Sequence, residues 1–168
     1  MPTVPLVHET GAAPDLIQAG KWEVQIQTGG TDEAPTFSFI YGLTDFSPKP
    51  DIGTEDATDI YDDGWKREVG VSGAYNIDVT GNVRGVIEDD EFTQDPGQAA
   101  LIAAAEDFGN SVILRWWRRD GLDIAYQAQV ISKVTVDGGK PGSLQKFSGQ
   151  ILVQGKPQSI TKPTVTTP

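Results

Sequence analysis

The sequence predicts a mainly β fold, a sandwich or flattened barrel, with one flanking α-helix. Three observations carry that prediction. Apolar and polar residues alternate with period two through most of the stretch from Trp22 to Val153, glycine-containing turn signals punctuate those runs, and one segment alone, "DPGQAALIAAAEDFG", carries helix signals at both ends.

Residues 1–20 mix Pro, Gly, Ala and isolated apolar groups without period and read as an extended N-terminal arm; residues 155–168 read as a C-terminal arm. Between them lies one core, 21–154, in a chain of 168 residues, a size that buries an apolar interior without crosslinks. Trp22, Val24 and Ile26 alternate with Glu23, Gln25 and Gln27 in a first strand. Phe37, Phe39, Tyr41 and Leu43 mark a second.

After that the pattern stops. "GLTDFSPKPDIGTEDATDIYDDGW" holds two prolines and seven carboxylates, and residues 42–66 read as a long inter-strand loop. Loops of that length in a compact domain are uncommon and tend to be functional or disordered.

Period two then resumes with Tyr75, Ile77, Val79 and Val83, with Thr80-Gly81-Asn82 as a bulge or turn. The helix is expected over 96–108. Asp95 caps its amides, Pro96 suits the first helical position, Gly109 supplies the left-handed stop, and Leu101, Ile102, Ala105 and Phe108 form the stripe laid on the sheet. "SVILRWWRR" follows, with Leu114, Trp116 and Arg118 on one face and Ile113, Arg115, Trp117 and Arg119 on the other. Asp120-Gly121 turns it antiparallel into a strand whose even positions from Leu122 to Val136 are mostly apolar, long enough to bend or to serve two sheets. Asp137-Gly138-Gly139 and Pro141-Gly142 lead into the last strand, where Phe147, Ile151 and Val153 share a face.

Composition removes several chemistries. With no cysteine there are no disulfides, thiolate metal sites or thiol catalysis, and 24 acidic against 13 basic residues give a net charge of -11, which repels nucleic acid and anionic membrane. The N-terminus lacks an export-signal pattern, and "AALIAAA" is too short to span a bilayer. The single histidine, His8, lies in the arm, with nothing to hold it as a catalytic base. "DATDIYDDGW" misses the EF-hand spacing, since Tyr61 and Gly70 fall where ligands belong. No metal or cofactor is expected. The acids of "EDDEF", from Glu88, read as a solvated face.

The long loop is too polar to make its own core, so it is expected to order against a neighbouring copy. Phe46, Ile52, Ile60, Tyr61 and Trp65 would be its apolar anchors. Asp51, Glu55, Asp56, Asp59, Asp62 and Asp63 would face Arg115, Arg118 or Arg119 next door.

"GLTDFSP", "DATDIYDDGW" and the ending in which "VDGG" precedes a final "FSG" strand occur in that order along the chain. From about Lys21 to Pro157 the chain resembles the major tail tube protein of long-tailed, siphovirus-type bacteriophages. The resemblance implies hexameric rings of β-sandwiches stacked head to tail into a tube for the viral genome, located in the virion tail and assembled in the host cytoplasm. Loop 42–66 would clamp an adjacent subunit, the inner sheets of six copies would close into one barrel, and the arms would tie ring to ring. Tape measure, tail terminator and distal tail proteins would be partners, and DNA would pass without specific binding. Asp78, Asp123, Gln127 and Gln129, opposite the apolar positions, are the lumen candidates. No catalysis is implied. The competing reading is a monomeric β-sandwich module for calcium-dependent carbohydrate recognition, with Trp116 or Trp117 as sugar platform; a hydrolase using Glu88 or Asp90 has only its carboxylates in its favour.

Overall fold

In a computed structural model, residues 22–31, 33–107 and 110–164 are described. The expected arm at 1–20 with His8, Phe108 and Gly109 of the expected helix end and stop, and the end of the C-terminal arm lie outside the described residues. The elements are β1 (Trp22–Gly30), β2 (Pro35–Phe39), β3 (Leu43–Asp56), β4 (Glu68–Asn82), β5 (Gly85–Glu88), β6 (Glu91–Gln94), α1 (Pro96–Glu106), β7 (Val112–Arg118), β8 (Ala125–Val136), β9 (Lys146–Val153) and β10 (Gln158–Ser159). The protein is mainly β with one helix, as predicted.

One antiparallel sheet runs in the order β2-β1-β7-β8-β9-β4-β3, with β10 also on β8, while β5 and β6 form a separate hairpin. The long strand does serve two sets of neighbours. Val112 to Trp117 of β7 pair with the first half of β8, whereas β9 pairs with its second half from Val130 to Val136. This division lets the sheet fold back on itself. Trp116 on β7 meets Phe46 on β3 at 6.4 Å and Tyr75 on β4 at 6.1 Å between ring centroids, although several strands separate them in the sheet. One core results, in which Val24, Ile26, Leu114, Trp116 and Val130 from one half pack against Ile77, Val79, Val134, Phe147 and Ile151 from the other. Each large apolar side chain so buried contributes about 1.5–3 kcal/mol.

The helix begins where the caps place it, with the Asp95 carboxylate accepting from the Gln98 amide at 3.1 Å. Its buried side is Gly97, Gln98, Leu101 and Ala104 rather than the stripe through Ala105. Gln98 is the reason. Its side chain donates to the carbonyls of Tyr41 at 2.5 Å and Asn82 at 3.0 Å and accepts from the Arg84 amide at 3.0 Å, so it ties the helix to the β2–β3 turn and the end of β4.

Four expectations need correction. The segment read as loop 42–66 is mostly strand. Tyr41-Gly42 turns the chain, β3 pairs with β4 from Leu43↔Gly81 to Asp56↔Glu68, and only 57–67 is a turn. Gly42 has φ +81°, and a Cβ there would strike the Asn82 carbonyl, so the second strand stops at Phe39 instead of running on to Leu43. Asp120-Gly121 lies in a wider connection, 119–124, closed by the Arg118 amide on the Ile124 carbonyl, which takes Leu122 and Ile124 out of the strand. Finally, Gly155–Thr164 of the C-terminal arm runs beside its own β8. Gln158 pairs with Gln127, and the Ile160 amide donates to Ala125.

On the free edge of the sheet, β3 carries Pro48 and Pro50 opposite Ile77 and Tyr75. Proline has no N–H to offer a further strand, and such edges are where it is tolerated.

Candidate functional site

The most unusual feature is the outer half of the β3–β4 hairpin. Strand β9 ends at Val153, opposite Tyr75, so from there outward β4 has only β3 beside it. Pro50–Asp56 and 68–74 form a two-stranded ribbon exposed on both faces apart from half-buried Gly53. At about 3.3 Å per residue the fifteen residues of β4 span roughly 50 Å, and nearly half of that projects beyond the sheet.

Its tip is built by its own acids. The Asp56 carboxylate accepts from the Thr58 amide at 2.9 Å and from the Thr58 hydroxyl, which hold it below the usual carboxylate range. Asp59 accepts from the Tyr61 amide at 2.7 Å, Asp62 from the Asp59 amide at 2.9 Å, and the Arg67 amide donates to the Thr58 hydroxyl at 2.9 Å. Asp63 and Gly64, with φ of 46° and 82°, turn the chain back. These acids therefore shape a turn rather than merely carrying charge. The turn holds Ile60, Tyr61 and Trp65 at 89%, 83% and 81% exposure; Ile52, Val69 and Val71 along the ribbon are exposed as well.

At the root of the ribbon the inner face of the sandwich runs on past its covering layer. Pro50, Ile52, Ala74 and Tyr75, with Tyr126 and Pro157, line an apolar groove of about 400 Å³ with Asp51 and Lys156 among its polar groups. Burial and the neighbouring Tyr126 push the Tyr75 phenol up.

The expected site residues are thus sorted. Ile52, Ile60, Tyr61 and Trp65 stand free on the projection, and Asp51 and Glu55 flank them exposed. Phe46 does not belong with them. It is buried in its own core, 5.7 Å from Trp22 and 6.4 Å from Trp116, because it lies in the inner half of β3. Of the expected arginine partners, Arg115 donates to Gln25 at 2.6 Å and lies 3.8 Å above the Phe37 ring, and Arg118 is ion-paired with Asp120 and sits 5.1 Å from Trp22. Arg119 is only 3.9 Å from Glu23 and half exposed.

The lumen candidates fall on different surfaces. Gln127 and Gln129 lie on the outward face of the β1-β7-β8 half, where Gln25, Arg115, Gln127 and Gln158 form one row across four strands. Asp78 lies on the outward face of the other half, in register with Ser47 and Gln150. Lys49 at 2.8 Å and Gln150 at 3.1 Å hold its carboxyl below the usual range. Asp123 is exposed in the connection 119–124, off the sheet. The two tryptophans proposed as sugar platforms are both buried, Trp116 in the core and Trp117 beneath Phe39 at 6.1 Å. Glu88 and Asp90 sit exposed on the β5–β6 hairpin.

One protruding surface escaped the sequence reading. Val86, Ile87 and Phe92 of the β5–β6 hairpin are exposed, next to the run of acids. Their alternation is too short to register.

No protein-family model and no curated protein matches the sequence. The fold, however, is one found in phage-like tail assemblies. A chain in the tail of an empty gene transfer agent particle, refined with helical and C6 symmetry, superposes with TM-score 0.64 at 13% identity over 87% of this chain and all of that one. A chain of the virion of a native gene transfer agent particle gives TM-score 0.60 at 14% identity over the same shares. A chain of the anti-feeding prophage baseplate, 6-fold symmetrised, gives 0.54 at 7% identity over 86% of this chain and 94% of that one. At such identities the shared property is the fold.

Proposed function

We propose that this protein is the structural, non-enzymatic subunit of a bacteriophage-type tail tube. Six copies form a ring, rings stack into a conduit for the genome, and the chain is carried in the virion tail after assembly in the host cytoplasm. The observation that carries this reading is the projecting ribbon. A two-stranded hairpin exposed on both faces is marginally stable alone, and it presents six large apolar side chains to water at no benefit to the monomer. Burying three of them, Ile60, Tyr61 and Trp65, against an adjacent copy is worth several kcal/mol at about 1.5–3 each. The sixfold symmetry of the similar assemblies supports the ring number.

The ribbon acts as the clamp between neighbours, and half-exposed Arg119 is the arginine best placed to meet its carboxylates. Residues 1–20 and the end of the C-terminal arm serve as ties between rings. The bore is lined by one outward face of the sandwich. Both faces suit it: one is rich in neutral amides at Gln127, Gln129 and Gln158, and on the other Asp78 is offset by Lys49. Neither holds DNA by a run of unpaired cations, the feature that gives non-specific affinity. Tape measure, tail terminator and distal tail proteins are the further partners this role requires.

The test replaces residues 52–73 by Asn-Gly, a two-residue turn that reconnects the paired residues Asp51 and Ala74. The shortened chain keeps its thermal unfolding midpoint within a few degrees and stays monomeric in sedimentation velocity, whereas the wild type forms rings or tubes in negative-stain electron microscopy. Tubes built normally by the shortened chain would refute the clamp.

A further inference from the structure

The β5–β6 hairpin is a second projection, at the opposite end of the molecule from the ribbon tip. Its place is set by Val83, whose amide donates to Gln145 at 2.9 Å, and by Asp95, whose amide donates to Arg84 at 2.8 Å. The first anchors it beside the Asp137–Gln145 turn between β8 and β9, where β4 ends against Lys146, and the second closes the base of the hairpin. Among the described residues no third strand pairs with it. Ile87 faces Phe92 across the hairpin, and Val86 is exposed beside them.

The charges of this hairpin are arranged against its own stability. Glu88 is directly opposite Glu91, and Asp89 and Asp90 fill the turn with φ of 50° and 63°. Like charges facing across a pair of strands repel. None of the four carboxylates has an ion-pair or hydrogen-bond partner among the described residues.

The complementary surface lies at the same end. On the β8–β9 turn Leu144 is 75% exposed and Val136 is exposed beside it, and the ammonium groups of Lys140 and Lys146 make no ion pair among the described residues. Asp137, the acid on this turn, already accepts from the Ser148 hydroxyl at 2.7 Å. An acidic, apolar projection and a basic, apolar turn thus occupy one end of one chain without pairing to each other.

We propose that the β5–β6 hairpin of one copy docks on the Asp137–Gln145 turn of the next copy in the same ring. Ile87 and Phe92 meet Leu144 and Val136, and Glu88 and Glu91 meet Lys140 and Lys146. Because both patches are at one end, rotation about the ring axis brings them together at equal height. A contact between two different patches generates a ring when the rotation that relates the copies closes, as it does in the ring assembly proposed above. This rests on the ring assembly proposed above but uses neither the ribbon nor the arms.

The chain has no cysteine, so introduced thiols are unambiguous. Equal amounts of an I87C chain and an L144C chain, the second carrying an affinity tag, are mixed and oxidised. The expected product is a disulfide-linked dimer containing one of each. In parallel, E88K/E91K and K140E/K146E each lower ring formation about tenfold, and one chain carrying all four changes recovers it, since the complementarity is restored with reversed sign. Both changes leave circular dichroism and the unfolding midpoint near wild type. If the wild type assembles but no mixed dimer forms and the reversals have no effect, this contact is wrong and the ring reading stands. If the wild type makes no oligomer at any concentration, both fall.

Discussion

The inner and outer halves of the β3–β4 hairpin share two strands and one antiparallel ladder, shifted in register between Gly53 and Thr54, yet they are opposite kinds of structure. In the inner half Phe46, Ile77 and Val79 are buried beneath the second layer. In the outer half Ile52 and Val69 sit in the same ladder but exposed, and Val71, at the register shift, is exposed as well. The hydrogen-bond ladder is common to both, so it does not decide which half is stable by itself. Side-chain burial does.

The largest expected effect breaks that comparison at its two ends. Ile77→Ala removes a fully buried side chain and costs about 2–5 kcal/mol of stability, read from urea unfolding of the monomer. Ile52→Ala, on the same two strands, changes stability by no more than about 0.5 kcal/mol. Equal losses would show that the ribbon is packed in the free chain.

Gln98→Leu sharpens the distinction at the base of the hairpin. It strands the carbonyls of Tyr41 and Asn82 and the amide of Arg84, and costs about 1–3 kcal/mol in the same assay. The ribbon tip remains as protected or unprotected as before.

The smallest effect is electrostatic. Asp56 and Asp78 are held below the ordinary carboxylate value of 3.8, so the stabilisation they give is complete above it and is lost as pH falls through their depressed values. Acidification below about pH 3.8 therefore loosens the Thr58 turn first, seen as faster amide exchange at Thr58 and Arg67, while amides of Ile77 and Ile151 stay protected. Simultaneous loss of protection at both places would mean that tip and core unfold together.

The same contrast explains what was legible in the sequence. Alternation reveals strands that have one wet and one dry face, so β1, β4, β7, β8 and β9 could be read directly, as could the division of β8 between two partners. The outer ribbon is wet on both faces, and Pro48, Pro50 and seven carboxylates within 42–65 disguised it as loop. Its only sequence trace is the ordered set Ile52, Ile60, Tyr61 and Trp65, which was read as a set of anchors without the strand that bears them. Phe46 was misplaced for the converse reason, since it sits in the same acidic stretch but on the inner half. Gln98 and the β5–β6 surface were invisible, one because a buried glutamine on a helix looks solvated, the other because four-residue strands carry too little period.

Pro48 and Pro50 have a consequence for the life of the chain before it joins anything. An open row of donors along β3, the strand at this edge of the sheet, would let copies of the chain stack in any alignment. Two imino acids in the middle of that row deny the wrong queue a place to form. In the assembly proposed above, contact between copies would then be left to side chains, which recognise one orientation only.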